Sequence, residues 1–425
     1  MTQIINNPVK ISMVIFLFIL SNYNIYTAVI NINTFVSIPC EDWYNVSVMK
    51  ILVGLSGGVD SAIAAYLLKE QGHEVTCAFM RNWDSLTNSD IEGNPTLNED
   101  MCTQEKDYQD ALSVANKLDL PLLRIDFIEE YWEEVFETFL REYRKGRTPN
   151  PDILCNKYIK FDHFYDFAKD NGFSYLATGH YAKRKTYKEY PVIAKASDLN
   201  KDQSYFLAQV NPNILSHVLF PLEDIDKTQV RQIAEELDLS IAKKKDSTGI
   251  CFIGERKFRE FLSNYLPMKE GNILNIANHK VIGRHQGVMY YTVGQRKGLN
   301  IGGTGPYYVI GKNVEKNELY VTEEAHKEWL ISDSAIITNV NQFVPLETPL
   351  KAHAKFRYRQ SDQDVIIEKI EDDTFTISYT QGIAGVTPGQ QAVFYLDDVM
   401  VAGGTIDTVY QDGVDLMKKI NQEME

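Results

Sequence analysis

The stretch Gly54-Leu55-Ser56-Gly57-Gly58-Val59-Asp60-Ser61 decides how the chain is read. It follows Met49–Leu55, an apolar run with the pattern of a buried strand, and precedes Ala62–Gln71, whose Ala, Ile and Leu residues predict a helix closed by Gly72. A strand, a Gly-Gly turn and a helix start together form an anion site. Glycines let backbone N–H groups approach a phosphate, and the helix N-terminus adds a positive dipole. No lysine follows the glycines, so this is not the Gly-x4-Gly-Lys-Ser/Thr loop. Ser56, Asp60 and Ser61, packed around the glycines, favour a nucleotide site over an ordinary turn. Asp60 would repel phosphates unless a cation lay between, which predicts Mg²⁺ dependence.

Outward from this loop the pattern alternates. Glu74–Arg81 and Leu122–Phe127 are predicted strands; Asp100–Leu118, Glu129–Lys145 and Asp152–Lys169 are predicted helices; Ser174–His180 is a further strand. The intervening Asp84–Asn98 is rich in Asn, Asp and Ser and reads as a mobile loop. This order predicts an α/β, doubly wound parallel sheet with ligands at the carboxyl ends of its strands. Tyr181–Asp198 reads as a β-hairpin, Asp226–Leu239 as a helix with an Asp226/Gln229 capping arrangement, and Lys257–Leu266 as a short helix. Composition shifts place a nucleotide domain at 49–260, a small central domain at 261–331 and a C-terminal β-barrel at 332–425. The barrel's expected strands are Ala335–Thr338, Ala352–Arg359, Val365–Ile370, Thr374–Tyr379, Gln391–Leu396 and Val399–Ile406.

Residues 1–48 have another character. Nine Ile and seven Asn fall there, and Lys10 is the only basic residue. Ile11–Leu20 is apolar except for Ser12, but ten residues fall short of the roughly 20 that span a bilayer. No Arg-rich transit pattern or Ala-x-Ala-like cleavage site follows. Met49 directly precedes the first strand, so the expected start of the working protein is Met49, with 1–48 either mis-assigned upstream sequence or a dispensable tail. The formal net charge of −15 argues against a generally basic nucleic-acid binder, while leaving room for a local basic face. The five cysteines, Cys40, Cys77, Cys102, Cys155 and Cys251, form no Cys-x-x-Cys. Neither a zinc site nor a disulfide scaffold is indicated, no metal ligands are assigned, and a reducing cytoplasm fits best.

Three further strings carry chemistry. In Gly146-Arg147-Thr148-Pro149-Asn150-Pro151-Asp152-Ile153-Leu154-Cys155-Asn156-Lys157 the prolines force an extended approach and Asp152 can cap the next helix. Cys155 then falls in its first turn, two residues before Lys157, where a thiolate is favoured. The second string, Asp246-Ser247-Thr248-Gly249-Ile250-Cys251-Phe252-Ile253-Gly254, follows Lys243–Lys245, so Cys251 sits beside a cationic, glycine-flanked loop. The third, Leu176-Ala177-Thr178-Gly179-His180-Tyr181, ends a strand, and Gly179 would admit a nucleotide close to the backbone. Cys77 and Cys102 read as structural.

Ser56–Ser61 resembles the pyrophosphate loop of the ATP pyrophosphatases. With the 146–157 string and Asp-Ser-Thr-Gly-Ile-Cys, the chain from about Met49 to Ile406 resembles the tRNA-specific 2-thiouridylase family. That resemblance implies ATP-dependent 2-thiolation of the wobble uridine of Lys, Glu and Gln tRNAs, with sulfur from a persulfide-donor protein, either a cysteine desulfurase or a relay carrier. It assigns Gly54, Leu55, Ser56, Gly57, Gly58, Val59, Asp60, Ser61 and Met80 to ATP and Gly179 to the AMP part. Asn150, Pro151 and Asp152 would face the target base, with Asp152 a candidate acid/base. Cys251 would carry the persulfide and Cys155 act as the second thiol, the pair ending as a disulfide that a reductant reopens. The implied contacts with tRNA are His180, Lys201, Asp202, Gln203, Arg357, Tyr358 and Gln390. On the 351–359 segment, Arg residues interleave with Phe356 and Tyr358, a pattern suited to phosphate contact and base stacking. Two rivals share parts of this pattern: another ATP pyrophosphatase, needing no cysteine pair, and a non-catalytic tRNA or sulfur-carrier binder.

Overall fold

The computed structural model describes residues 16–21, 24–31, 34–37, 48–91, 94, 102–246, 258–302 and 305–425. The chain forms two units, Met1–Val48 and Met49–Glu425. In the first, strands β1 (Phe16–Ser21), β2 (Asn24–Asn31) and β3 (Thr34–Ser37) pair as an antiparallel meander. The Ile, Val, Phe and Tyr content that sets this segment apart is also what suits it to strands.

The second unit begins with a five-stranded, wholly parallel sheet. Its strands β4 (Lys50–Gly54), β5 (Glu74–Arg81), β6 (Leu122–Asp126), β7 (Tyr175–Ala177) and β10 (Val218–Leu219) are ordered β10-β7-β4-β5-β6. Alternate residues of β4 serve opposite faces: Leu52 joins one core cluster, while Ile51 and Val53 join the other. That is why its sequence is uniformly apolar. The chain winds outward through β5 and β6, then returns to β7 on the other side of β4. The strand order therefore reverses between β4 and β7, where ligands of such sheets collect.

Helix Val59–Glu70 starts three residues before the predicted Ala62, with Gly58 as its N-cap, so Val59, Asp60 and Ser61 form its first turn. The predicted helix from 152 starts at Pro151 and carries a π-helical stretch over Cys155–His163. The helix predicted over 129–145 likewise has a π-helical stretch, Tyr131–Phe136. Side-chain periodicity does not reveal such insertions, because each adds only one residue to the turn.

A mixed sheet ordered β12-β11-β14-β13 follows, comprising β11 (Gly271–Asn275), β12 (Val281–His285), β13 (Tyr307–Asn313) and β14 (Glu318–Glu323). The barrel's strands are β15 (Ile331–Gln342), β16 (Leu350–Lys355), β17 (Gln363–Glu371), β18 (Thr374–Ala384), β19 (Gln391–Leu396) and β20 (Val399–Gln411). They close into a ring because β15 pairs with both β18 and β20. The hairpin β8 (Ala182–Tyr187) and β9 (Tyr190–Lys195) leaves the nucleotide domain and extends the barrel sheet, with Ala194 opposite Val399. Helix Leu416–Glu423 packs on the central sheet, where a Cβ on Gly311 would come within 3.0 Å of Met417 Sδ.

The strand expected over Ala352–Arg359 ends at Lys355. Phe356 is buried beneath a turn and packs edge-on against Tyr379, so it is a core residue and presents no stacking face.

Candidate active site

The nucleotide loop is shaped by its own hydroxyls. Ser61 Oγ donates to Gly58 O (3.0 Å) and accepts from Ser56 N (3.1 Å), which curls the loop over the helix start. No side chain among the described residues caps Val59–Glu70, so among them its first-turn N–H groups have no acceptor at the reversal point of the sheet. Leu55 and Val59 are buried in the core, so only their backbone can face a ligand.

Two glycines have reasons the sequence did not disclose. Gly57 has φ +75°, and a Cβ there would lie 2.2 Å from Asp107 O on helix Thr103–Lys117. A Cβ on Gly179 would lie 2.7 Å from Ser61 N. Gly179 is thus required by the close passage of the β7 exit over the helix start, and the nucleotide is not needed to explain it.

One cleft of about 1250 Å³ gathers most of the expected residues. Gly54, Leu55, Ser56, Gly58, Val59, Asp60, Ser61, Met80 and Gly179 line one part of it. Asn150, Pro151, Asp152 and Cys155 line another, with His180, Lys201, Gln203, Tyr358 and Gln390 around them. Segments separated by more than 300 positions meet here.

Asn150, not Asp152, caps the helix that carries Cys155; its Oδ1 accepts from Asp152 N (3.1 Å) and Ile153 N (3.4 Å). Asp152 lies in the first turn. Cys155 lies beyond it, at the start of the π-helical stretch, and is 3% exposed in the cleft wall. The barrel holds the approach to this helix in place. Gln390 Nε2 donates to Thr148 O (2.7 Å), Thr148 N donates to Pro388 O (3.1 Å), and Arg147 donates to Asp407 Oδ1 (2.9 Å) and Ile406 O (2.8 Å).

Cys251 lies outside the described residues, as does the rest of its string from Ser247 to Gly254. Among the described residues, Cys77, Cys102 and Cys155 are not joined to one another by a disulfide. The expected loop over Asp84–Asn98 is described only in part; residues 84–90 make turns held by Asp84, whose Oδ1 accepts from Leu86 N and Thr87 N.

Several expected RNA contacts have internal partners, Asp202 and Arg357 the most of them. The Asp202 carboxylate is buried and accepts from Ala196 N (3.1 Å) and Ser204 Oγ (2.9 Å), so its side chain braces the 196–204 turn. Arg357 donates to Val293 O (2.8 Å), Gly385 O (2.6 Å) and Thr387 Oγ1 (3.1 Å), joining the central domain to the barrel. In this geometry both side chains serve the protein's own bonds. Two further lysines are also paired: Lys183 with Asp224 (2.6 Å), and Lys244 with Asp107 (2.8 Å) and Asp110 (2.6 Å). His180 is kept largely neutral by burial, assisted by Lys160 nearby.

A charge network behind the loop was not legible from residue pattern. Lys227 Nζ donates to both oxygens of Asp60 (2.7 and 2.8 Å), and Tyr181 Oη donates to Asp60 Oδ1 (2.9 Å). Lys227 also pairs with Asp246 (2.7 Å), which receives Lys201 (2.7 Å) and Arg231 (2.8 Å). Burial works against the Asp246 carboxylate, but hydrogen bonds from Lys201 and Lys227 outweigh it and hold its pKa at about 2. The residues do not fit a protein-held Mg²⁺: Asp60 is already engaged by an ammonium and a phenol. No cluster of three or more His, Cys, Asp or Glu suited to a metal occurs among the described residues.

An uncapped helix start at the reversal point of a parallel sheet, joined to two β domains, defines the class: an α/β nucleotide-binding domain of the pyrophosphate-loop kind. Family models match in the same order, a tRNA methyl transferase HUP domain over residues 49–255, a tRNA methyl transferase PRC-barrel domain over 259–323 and an aminomethyltransferase beta-barrel domain over 332–406. More particularly, the chain belongs to the tRNA-specific 2-thiouridylase family. It is 53% identical over 371 residues to the tRNA-specific 2-thiouridylase of Mycoplasma capricolum, covering 85% of this chain and 99% of that one. It is also 53% identical over 368 residues to the protein of that name from Acholeplasma laidlawii, covering 86% and 98%. Solved structures are more remote. An NMN synthetase from Francisella tularensis is 19% identical with a TM-score of 0.29, covering 51% of this chain and 71% of that one. A 4-thiouridine synthetase–RNA complex with bound ATP is 15% identical with a TM-score of 0.27, covering 48% and 45%.

Among the described residues no helix is long and apolar enough to cross a membrane.

Proposed function

We propose that the chain places sulfur on C2 of the wobble uridine of tRNA, using ATP, in the cytoplasm. The observation that carries this reading is the convergence, in one cleft, of the uncapped helix start at Val59, the Asn150–Asp152 turn and the Cys155 thiol. The C2 oxygen of uracil is a poor leaving group. Its attack on the α-phosphate of ATP would release pyrophosphate and leave an O2-adenylate, from which AMP departs readily. The first-turn N–H groups of Val59–Glu70 would hold the phosphates, and Asn150, Pro151 and Asp152 would hold the base, with Asp152 managing the proton. Mg²⁺ enters this scheme only as the metal that accompanies ATP, held by phosphate oxygens.

Cys251 would receive the persulfide from a cysteine desulfurase or relay carrier. Its terminal sulfur attacks C2 and displaces AMP, leaving a C2–S–S–Cys251 link. The Cys155 thiolate then attacks Cys251 Sγ, which frees the 2-thiouridine and leaves a Cys155–Cys251 disulfide for a dithiol reductant. In the alternative order, Cys155 first releases the sulfur as hydrosulfide, with the same disulfide left behind. Lys201, Gln203, His180, Tyr358 and Gln390 would contact the tRNA, and the Lys, Glu and Gln tRNAs would be its substrates.

The test is pyrophosphate release together with thiolated tRNA, measured with and without each tRNA. The expected result is release that depends on tRNA and is matched by thiolation when a persulfide donor is present. ATP consumption without thiolation would point to a different ATP pyrophosphatase, and tRNA binding without ATP consumption to a non-catalytic binder. A chain beginning at Met49 is expected to match the full chain in this assay.

A further inference from the structure

Asp60 stands in the first turn of Val59–Glu70, on the wall of the cleft where phosphates would lie. A bare carboxylate there would oppose them. Instead, both its oxygens accept from Lys227 Nζ, whose side chain is only 12% exposed and so is poorly screened by water. Lys227 is itself held firmly. It is the first residue of helix Lys227–Glu236, behind the Asp226/Gln229 capping box, and its backbone N donates to Asp198 Oδ2 (3.1 Å). A metal ion taking Asp60 would have to displace this ammonium and leave it buried beside a second cation.

Lys227 also ties Asp60 to Asp246, which two further cations neutralise. Counting Lys201, Lys227 and Arg231 against Asp60, Asp198 and Asp246 leaves the charges beside the loop balanced, so losing Lys227 would leave one carboxylate uncompensated.

We infer that Lys227, and not a metal ion, is the countercharge of Asp60, and that it is a positioning residue that makes the loop acceptable to a nucleotide's phosphates. This rests on the reading of the cleft as an ATP site. The side chain lies behind Asp60, so it acts through that carboxylate.

The experiment is calorimetric titration of the full chain with ATP, in excess chelator and in saturating Mg²⁺, for the wild type and for Lys227→Met, Lys227→Arg, Asp60→Asn and the Lys227→Met/Asp60→Asn double variant. Lys227→Met is expected to weaken ATP by ~10-fold or more in chelator, the equivalent of about 1.4 kcal/mol from one uncompensated charge. The double variant is expected to recover most of that loss, and Lys227→Arg to retain wild-type affinity. A Lys227→Met protein that binds like wild type, or a double variant no better than Lys227→Met, would overturn the inference while leaving the ATP reading intact. Should Lys227→Met not fold, Asp60→Asn decides alone. The gain in affinity on adding Mg²⁺ is expected to survive it, and loss of that gain would make Asp60 a metal ligand. Wild-type protein that binds no ATP under either condition overturns the ATP reading and this inference together.

Discussion

The surroundings of the cleft and the protein's interior away from it each contain a little-exposed cysteine and a little-exposed lysine, and the two pairs live by different rules. In the cleft wall, Cys155 is 3% exposed yet faces the cavity, and just behind that wall Lys227, its side chain 12% exposed, is bound between two carboxylates. In the interior, Cys77 is fully buried on β5, and burial pushes its thiol up to about 12. Lys312 on β13 is 8% exposed, its Nζ has no hydrogen-bond partner among the described residues, and burial lowers its pKa to about 7. Residue type and burial are nearly the same in the two places. What differs is whether a neighbour or a cavity gives the group something to act on.

The sharpest break of this comparison is Cys155→Ser. Thiolated tRNA is expected to fall by ~10³-fold or more, as when a nucleophile is removed from a set that acts as a unit. A single burst of tRNA-dependent pyrophosphate release should remain, because adenylation does not use the thiol. Rapid-quench kinetics would check both, and steady thiolation by this variant would sink the assigned role.

Next in size is Lys312→Met. Between pH 7 and about 10.5 the unfolded chain carries a proton on Lys312 that the folded chain lacks, so wild-type stability should rise with pH across this window. Methionine removes the cost of burying the amine. The variant is expected to be stabilised by something on the order of a few kcal/mol at pH 7 and below, with the gain shrinking towards pH 10. Thermal melts at several pH values would show it; a destabilised variant at pH 7 would mean that the amine has a buried partner.

The smallest effect is expected from Cys77→Ala. It should cost about 1 kcal/mol through lost packing and leave thiolation unchanged. Chemical denaturation beside the thiolation assay would check this, and any large loss of activity would erase the distinction between the two thiols.

Much of the nucleotide domain was legible because it depends on local pattern. Glu74–Arg81 and Gln391–Leu396 match their expected spans, since alternating or continuous apolar runs bounded by turn residues leave a strand little latitude. The capping box at Asp226 was legible for the same reason. The ends of Ala352–Arg359 were not, because Phe356 continues the apolar pattern while the backbone turns beneath it. Nor could pattern show that β8 and β9 belong to the barrel's sheet, since strand partners are chosen by what lies alongside them.

The sequence by itself determined the strand–glycine–helix loop, the order of the three folding patterns and the presence of Asn150, Asp152 and Cys155 on one short segment. These follow from neighbours along the chain, whose spacing is fixed by covalent geometry. Only the tertiary structure decided that Lys227 balances Asp60, that Asp202 and Arg357 turn inward, and that Gln390 props up the turn before Asn150. The pairings of Lys227, Arg357 and Gln390 cross large sequence separations, and which groups meet, and how much water is left between them, is settled only when the domains pack.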